Sequence, residues 1–246
     1  MNLYESPKLV AEYLLFHFGD EESVLGNMPG PREAVGFAQR LVQELLTDVP
    51  ADARALDVGC AVGGSSFELA RCCRSVCGVD FSNAFIKAGR ALVLEGELAF
   101  EKVVEGSIME NDVAKVDPSV DRSRVSFDVA DACSLPVGLG PFDVVLAANL
   151  ICRLPEPGAF LKRLPELVRE GGQLLLTTPF TWMEDHTPQA HWIGATPEAG
   201  RSFEALQSAL APSFVLEHTT NIPFLIREHS RKFQYTVAFG SRWRKR

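Results

Sequence analysis

The sequence lacks long apolar runs, paired cysteines and an overall excess of basic residues. No apolar stretch reaches the roughly 18 residues expected of a membrane-spanning helix, and the N-terminus has no basic region followed by an apolar one. The six cysteines form no C-x-x-C pairs, which favours reduced thiols over a zinc site or a disulfide framework. A net charge of −8 argues against a nucleic-acid partner. We therefore expect a cytoplasmic protein with no membrane segment and no bound metal.

What the chain does contain is a glycine-bearing turn between two predicted strands, within residues 54–82. A short apolar strand over residues 55–58 is followed by the turn 59–64, and Ser65 and Ser66 open a helix. The next strand, residues 75–80, ends on Asp80. This order matches half of a nucleotide-binding βαβ unit, in which the ligand lies at the N-terminus of the helix.

Two departures from the dinucleotide fingerprint indicate which ligand binds. The middle glycine of G-x-G-x-x-G is replaced by Ala61, and Asp57 lies two residues before the turn. A carboxylate there would repel a pyrophosphate but would attract an ammonium group, directly or through water. Both features predict S-adenosylmethionine, with Asp80 accepting hydrogen bonds from the two ribose hydroxyls. The alternatives are a dinucleotide or a turn that binds no cofactor.

The rest of the chain alternates predicted helices and strands. Helices are expected over 8–18, 33–46, 85–94 and 161–169, and strands over 124–129, 141–149, 173–178, 214–219 and 234–239. Residues 96–123 are predicted to be a small hairpin or an ordered insertion. The pattern predicts an α/β fold, a doubly wound, mostly parallel, seven-stranded Rossmann-like sheet with N-terminal helices. We expect one domain over 1–246, with a helical cap over 1–50, a cofactor-binding core over 54–180, and substrate-side loops and a hairpin over 181–246.

Polar residues stand at the carboxyl ends of four predicted strands, where ligands bind in this class of sheet. Asp131 suits the adenine amino group, with the Ala132 N–H beside the ring, and Asn149 would face the transferred methyl group. Asp131 could instead cap a helix, and Asn149 could be a turn residue. The predicted cofactor contacts are Asp57, Gly59, Cys60, Ala61, Gly63, Asp80, Phe81, Asp131, Ala132 and Asn149.

Several stretches resemble a known enzyme family. Residues 56–64, 78–82, 131–136 and 171–172 resemble the motifs of class I S-adenosylmethionine-dependent methyltransferases. More specifically, residues 4–6, 12–19, 147–155, 178–184 and 223–234 resemble the 4-mercaptohistidine N1-methyltransferase domain of ovothiol biosynthesis. The resemblance covers almost the whole chain and implies methylation of the imidazole ring of a thiolated histidine. In this family the domain often follows an iron-dependent sulfoxide synthase, whereas here Met1 begins the methyltransferase, so a functional link to a separate sulfoxide synthase is expected.

Such a substrate needs protein groups that bind its carboxylate and its ammonium group, and a base that accepts its ring proton. Arg227 is predicted to bind the carboxylate and His229 to act as base, with Glu228 orienting it or binding the ammonium group. The alternative is an Arg227–Glu228 ion pair that pins the loop, with His229 merely packed. Glu184 and His186 are the reserve candidates for the catalytic roles. Asn149 is included among the catalytic candidates. The predicted substrate contacts are Tyr13, Arg153, Trp182, Glu184, His186, Arg227 and Lys232.

Residues 227–246 also suggest a second class of acceptor. They carry seven Lys or Arg against one acidic residue, with aromatic residues interleaved, as an RNA-binding edge would. Residues 234–239 alternate, however, and are predicted to be an antiparallel edge strand, with 242–246 as a solvated tail. The alternatives are therefore a methyltransferase for RNA, one for another small amino-acid-like acceptor, and a noncatalytic S-adenosylmethionine-binding module.

Overall fold

The computed structural model describes residues 3–246. Met1, the predicted start of the domain, and Asn2 lie outside the described residues. The N-terminal cap contains helices α1 (Pro7–Phe18), α2 (Glu21–Leu25) and α3 (Phe37–Leu45). The Ser6 hydroxyl accepts a hydrogen bond from Leu9 N, and Pro7 occupies the first turn, so α1 begins where the sequence predicted. The helix predicted over 33–46 is shorter, because Gly36 adopts a left-handed conformation that separates a 3-10 turn from α3.

A seven-stranded, mostly parallel sheet forms the centre of the fold, which confirms the predicted class. Its order is β5-β2-β1-β6-β7-β9-β8, and only β9 runs against its neighbours. The strands of the chain are β1 (Arg54–Val58), β2 (Ser75–Asp80), β3 (Glu97–Glu105), β4 (Ile108–Lys115), β5 (Val125–Val129), β6 (Phe142–Ala148), β7 (Val168–Thr178), β8 (Phe214–His229) and β9 (Lys232–Lys245). The remaining helices are α4 (Gly64–Leu69), α5 (Asn83–Glu95), α6 (Pro157–Leu167) and α7 (Ser202–Leu210).

Alternate side chains of each strand enter two hydrophobic cores, one on each face of the sheet. Ala55 of β1 packs with α1, α3, α4 and α5, whereas its neighbour Leu56 packs with α6 and α7. Phe160 and Trp243 are fully buried in the second core. Helices on both faces explain why the parallel strands are almost continuously apolar.

Strands β3 and β4 form a separate two-stranded hairpin inserted between α5 and β5. The Val116 N–H donates to Gly96 O at 2.9 Å, which closes the base of this insertion. Ser230 donates both its N–H and its hydroxyl to Val104 O, so the insertion is held against the C-terminal hairpin. The predicted hairpin within 96–123 is confirmed.

The C-terminal part of the chain differs from the prediction. The strand expected over 214–219 continues to His229 as β8, which is the edge strand and therefore tolerates Pro223 without an N–H. The strand expected at the edge over 234–239 is the longer β9, which lies between β7 and β8. The predicted solvated tail belongs to β9, because Trp243 fills the core and anchors it.

A further difference concerns the end of α6. The helix predicted to reach residue 169 ends at Leu167, and β7 begins at Val168, ahead of the two glycines expected to separate helix from strand. Lys245 donates to the carbonyl oxygens of Pro165 and Val168 at this junction. A cation at the carboxyl end of a helix is electrostatically favourable.

Candidate cofactor and substrate site

The glycine turn between β1 and α4 is held against the end of β2. The Ala61 N–H donates to Asp80 Oδ2 at 3.0 Å, and Ala61 has a left-handed φ of 49°. Gly59 has a φ of 73°, and a Cβ there would lie 2.8 Å from the Leu150 side chain. The turn therefore requires a glycine at 59, while Ala61 adopts an uncommon backbone conformation for a residue with a side chain.

Asp57 lies beneath this turn and is only 1% exposed. Its Oδ2 accepts a 2.6 Å hydrogen bond from the Ser66 hydroxyl, which ties the end of β1 to α4. Burial raises the pKa of Asp57 to about 7, while the bond from Ser66 lowers it. The carboxylate is thus almost fully buried, and its predicted interaction with a ligand ammonium group, directly or through water, stays a prediction.

Asp80 has the position and the free acceptor capacity that a ribose requires. Its two oxygens accept the N–H groups of Ala61 and Ser82, the latter at 2.9 Å, which leaves further lone pairs for hydroxyl donors. Burial raises the pKa of Asp80, whereas these backbone bonds lower it. Phe81, the next residue, is 49% exposed and offers an aromatic face beside Asp80. A buried carboxylate beside an exposed ring fits the adenosine part of S-adenosylmethionine.

Asp131 and Asn149 both make local contacts. Asp131 is exposed, and its carboxylate accepts bonds from Cys133 N at 2.8 Å and from the Ser134 hydroxyl, as a cap does. Asn149 has a φ of 52°, and its Oδ1 accepts from the Thr177 hydroxyl at 3.1 Å. These are the turn and capping roles that the sequence left open as alternatives. Their cofactor contacts stay predictions.

Three other predicted cofactor residues are constrained by packing. A Cβ on Gly63 would lie 2.2 Å from the Phe127 ring, so the missing side chain makes room for Phe127. Cys60 and Ala132 are buried, and the Cys60 thiol points to the neighbouring Ala61 O. The sequence does not predict the packing of Phe127, because the three glycines beside its ring, Gly63, Gly78 and Gly89, come from different elements.

The N-terminal segment contacts the end of β2 and the start of α5, and no local sequence pattern predicts most of these contacts. The Tyr4 ring packs edge-on against Phe81 at 5.7 Å and against Tyr13 at 6.4 Å. The Glu5 carboxylate accepts the N–H groups of Asn83 and Ala84 at the start of α5. These contacts bring Tyr13, a predicted substrate residue, close to the proposed ribose site.

Arg153 and His186 approach the same place from the ends of β6 and β7. Arg153 is half-buried and donates to Thr181 O at 3.0 Å. Burial and Tyr4 raise the pKa of Tyr13, while the nearby Arg153 guanidinium lowers it. Burial lowers the pKa of His186, and Arg153 lowers it further. Arg153 thus lies within electrostatic range of Tyr4, Tyr13 and His186, which come from two other parts of the chain.

The loop after β7 also contains Trp182 and Glu184, the other two predicted substrate residues of this loop. Trp182 stacks on Trp192 with ring centroids 6.3 Å apart and donates its Nε1–H to the Ser202 hydroxyl at 2.8 Å. Glu184 is exposed. Trp182 therefore shapes the loop that carries His186.

Arg227, Glu228, His229 and Lys232 are not in the loop where the sequence placed them. Asn221 of β8 aligns with Phe239, which aligns with Thr178 at the end of β7. His229 is eight residues farther along β8, a path of about 26 Å. Arg227 is buried and donates to the carbonyl oxygens of Ser23 and Val24, Glu228 pairs with Lys232 at 2.7 Å, and His229 Nδ1 accepts from Arg231 N. The Arg227–Glu228 ion pair, which the sequence left as an alternative, does not form, because Glu228 pairs with Lys232 instead.

Comparison with known proteins gives the same assignment as the fold. The chain is 27% identical over 156 residues to methyltransferase GfsG of Streptomyces halstedii, covering 61% of this chain and 48% of that protein. It thus spans about half the length of that relative. The [4+2]-cyclase SpnF superposes with a TM-score of 0.57 at 14% identity, over 98% of this chain and 96% of that one.

A second solved structure carries the expected cofactor. Magnesium protoporphyrin IX methyltransferase from Synechocystis, with S-adenosylmethionine bound, gives a TM-score of 0.52 at 18% identity, over 85% of this chain and 76% of that one. The profile of the methyltransferase domain family matches residues 32–224, which include the glycine turn, Asp80 and both parallel halves of the sheet. The chain therefore belongs to the class I S-adenosylmethionine-dependent methyltransferases.

Proposed function

We propose that the protein methylates an imidazole nitrogen of a thiolated histidine, converting 4-mercaptohistidine to ovothiol. The observation that carries the proposal is that Arg153 lies within electrostatic range of Tyr4, Tyr13 and His186, and Asp80 within range of the two tyrosines. A guanidinium in a partly desolvated, aromatic setting suits the carboxylate of a small amino acid. The resemblance of residues 147–155 and 223–234 to the mercaptohistidine family supports the choice of acceptor.

The chemistry mainly requires alignment of the two reactants. S-adenosylmethionine supplies a methyl group on a sulfonium centre, and the displaced electron pair stays on sulfur when a ring nitrogen takes the methyl carbon. Arg153 holds the acceptor carboxylate, and Tyr13 packs against the acceptor ring. Such orientation contributes about 7–11 kcal/mol towards the barrier in well-aligned reactions. The ring proton must pass to a base.

We assign that base to His186 rather than His229. Because burial and Arg153 both lower the pKa of His186, its imidazole is neutral and can accept a proton at pH 7. His229 lies at the tip of the β8–β9 hairpin, where Nδ1 is engaged by Arg231 N. The Arg227 guanidinium is likewise committed to the carbonyl oxygens near the end of α2. Both residues therefore fit a structural role better than a catalytic one.

The contacts of the basic C-terminal residues disfavour RNA as the acceptor. Arg242 and Arg244 pair with Glu217, Arg244 also donates to Gly171 O, and Lys245 is engaged at the end of α6. A small amino-acid-like acceptor other than mercaptohistidine is the second candidate, since Arg153 would bind its carboxylate equally well. The proposal also includes a cytoplasmic location and a separate iron-dependent sulfoxide synthase that supplies the sulfur-bearing substrate.

Methyl transfer from labelled S-adenosylmethionine to 4-mercaptohistidine, histidine and a short RNA tests the proposal. We expect efficient transfer only to 4-mercaptohistidine. Arg153→Ala should raise KM for this acceptor by about 10- to 100-fold, because a charge-assisted bond is lost, with little change in cofactor affinity. Arg231→Ala, at an exposed position, is the matched control. Equal kcat/KM for histidine and 4-mercaptohistidine, or labelling of RNA alone, would contradict the proposed substrate.

A further inference from the structure

His17 of α1 makes a direct hydrogen bond to the glycine turn. Its Nδ1 accepts the Gly64 N–H at 3.0 Å, and its own carbonyl oxygen accepts the Gln39 side-chain amide at 2.7 Å. His17 is buried beside the rings of Tyr13, Phe16 and Phe18. A Cβ on Gly64 would lie 2.8 Å from Nδ1, so only glycine allows this close approach.

The protonation state of the His17 ring makes its Nδ1 a hydrogen-bond acceptor. The Gly64 N–H can only donate, which fixes an unprotonated Nδ1 and places the ring proton on Nε2. Burial lowers the pKa of His17 to about 3, so the ring stays neutral over the physiological range. The bond to Gly64 is consequently present wherever the protein is folded.

The bonded amide lies at the far side of the turn from Asp80. Gly64 is the first residue of α4, and the first N–H groups of a helix have no acceptor within the helix. At the near side, Ala61 N–H donates to Asp80 Oδ2. Besides the bonds that the Gly59 and Cys60 N–H groups donate to Val79 O, the turn is thus held by one hydrogen bond to the proposed ribose acceptor and one hydrogen bond to α1.

We infer that His17 is a positioning residue for the cofactor, which holds the glycine turn in its binding conformation through the Gly64 amide. The residues just before α1 are bound to the junction between β2 and α5, next to Asp80. The Ser82 hydroxyl donates to Tyr4 O at 2.9 Å, and Glu5 caps α5. Segment 4–18 therefore spans the turn and the β2–α5 junction, and it fixes their relative position. This inference rests on the cofactor binding that the proposed function needs, and it does not depend on the acceptor.

Asparagine and glutamine at position 17 distinguish this role from simple packing. Asparagine can place its Oδ1 near the position of Nδ1, whereas glutamine places its amide near Nε2. We expect His17→Ala and His17→Gln to weaken S-adenosylhomocysteine binding by about 5- to 30-fold, because a buried N–H is left unpaired. His17→Asn should stay within about 3-fold of the unmodified protein. Gln39→Ala, which loosens α1 without touching Gly64, is the control.

Calorimetric titration with S-adenosylhomocysteine and hydrogen exchange at the Gly64 amide provide two readouts that need no turnover. Exchange at Gly64 should accelerate in the alanine and glutamine variants and recover in the asparagine variant. If His17→Ala fails to fold, the asparagine and glutamine pair still decides the question. Equal affinities for that pair, or a loss in Gln39→Ala as large as that in the glutamine variant, would overturn the inference. Normal cofactor binding with no methylation of 4-mercaptohistidine would contradict only the proposed function.

Discussion

At the scale of single residues, the binding turn is held by two buried carboxylates with different partners. Asp57 accepts a hydrogen bond from the Ser66 hydroxyl of α4. Asp80 accepts hydrogen bonds from two backbone N–H groups, that of Ala61 in the turn and that of Ser82 at the start of α5. Desolvation raises the pKa of both, because the charged form loses its hydration. Asp80 retains lone pairs for ribose hydroxyls, whereas Asp57 is almost fully buried.

The raised pKa of Asp57 predicts a specific dependence of stability on pH. The folded state binds the Asp57 proton more tightly than the unfolded state, in which the pKa is about 3.9. The resulting stabilisation is complete below about pH 4 and is lost as the pH rises through about 7, by up to about 4 kcal/mol.

Urea unfolding at pH 5 and pH 8 measures this effect against Asp57→Asn, which keeps an acceptor for Ser66 but does not titrate. The unmodified protein should lose more stability between the two pH values than the variant does. Parallel pH profiles would mean that Asp57 titrates normally in the folded protein.

At the scale of elements, the β8–β9 hairpin is longer than a sheet edge requires. Beyond Asn221 it passes over α1 and α3, where Phe224 packs against Phe16 and Phe37. Its tip meets the β3–β4 insertion through Ser230, and Arg227 joins it to α2. The hairpin therefore packs against the N-terminal helices, one of which, α1, contacts the glycine turn through His17.

This arrangement predicts that Arg227 contributes to stability rather than to substrate binding. Arg227→Met should lower the free energy of unfolding by about 2 kcal/mol, because the Ser23 and Val24 carbonyl oxygens lose a charged donor. KM for cofactor and acceptor should change less than about 2-fold. Thermal unfolding and steady-state kinetics measure the two effects, with the exposed Arg231→Met as control. A raised KM for the acceptor with an unchanged Tm would restore Arg227 as the carboxylate clamp.

At the scale of the whole molecule, the sheet separates two hydrophobic cores, which support different parts of the predicted cofactor site. The first core contains α1, α3, α4 and α5, which contact the glycine turn and the end of β2. The second contains α6, α7 and the C-terminal strand, and it supports the strand ends that carry Asn149 and Arg153. Among residues 3–246, no helix is both long and apolar enough to cross a membrane.

Ligand binding should stabilise this whole assembly. S-adenosylhomocysteine at about 100 times its Kd should raise Tm by about 5–10 °C, since it binds only the folded protein. NAD should give no shift, because Ala61 replaces the glycine that admits a pyrophosphate. Thermal scanning with each ligand measures both expectations. A shift with NAD equal to that with S-adenosylhomocysteine would contradict the cofactor preference.

Local sequence patterns predict the parallel strands, the glycine turn and Asp80, because each depends on residues that are close together in the chain. Apolar runs of five to seven residues form buried strands, and a turn rich in small residues must follow β1 wherever the chain goes next. The same local character explains the confirmed β3–β4 insertion. It also explains why Asp131 and Asn149 were correctly placed at strand ends even though their contacts with ligand stay predictions.

Tertiary structure alone decided which distant residues meet. Pairing with β9 extends β8 to His229, which moves Arg227 away from the strand ends, and no local pattern encodes that pairing. Burial of Trp243 converts an apparent tail into a core strand. The sequence does not predict the hydrogen bond of His17, because its partner Gly64 is 47 residues away and the bond depends on how α1 packs on the turn. The packing of distant elements determines hydrogen bonds between side chains and remote backbone amides, so a local sequence pattern cannot predict them.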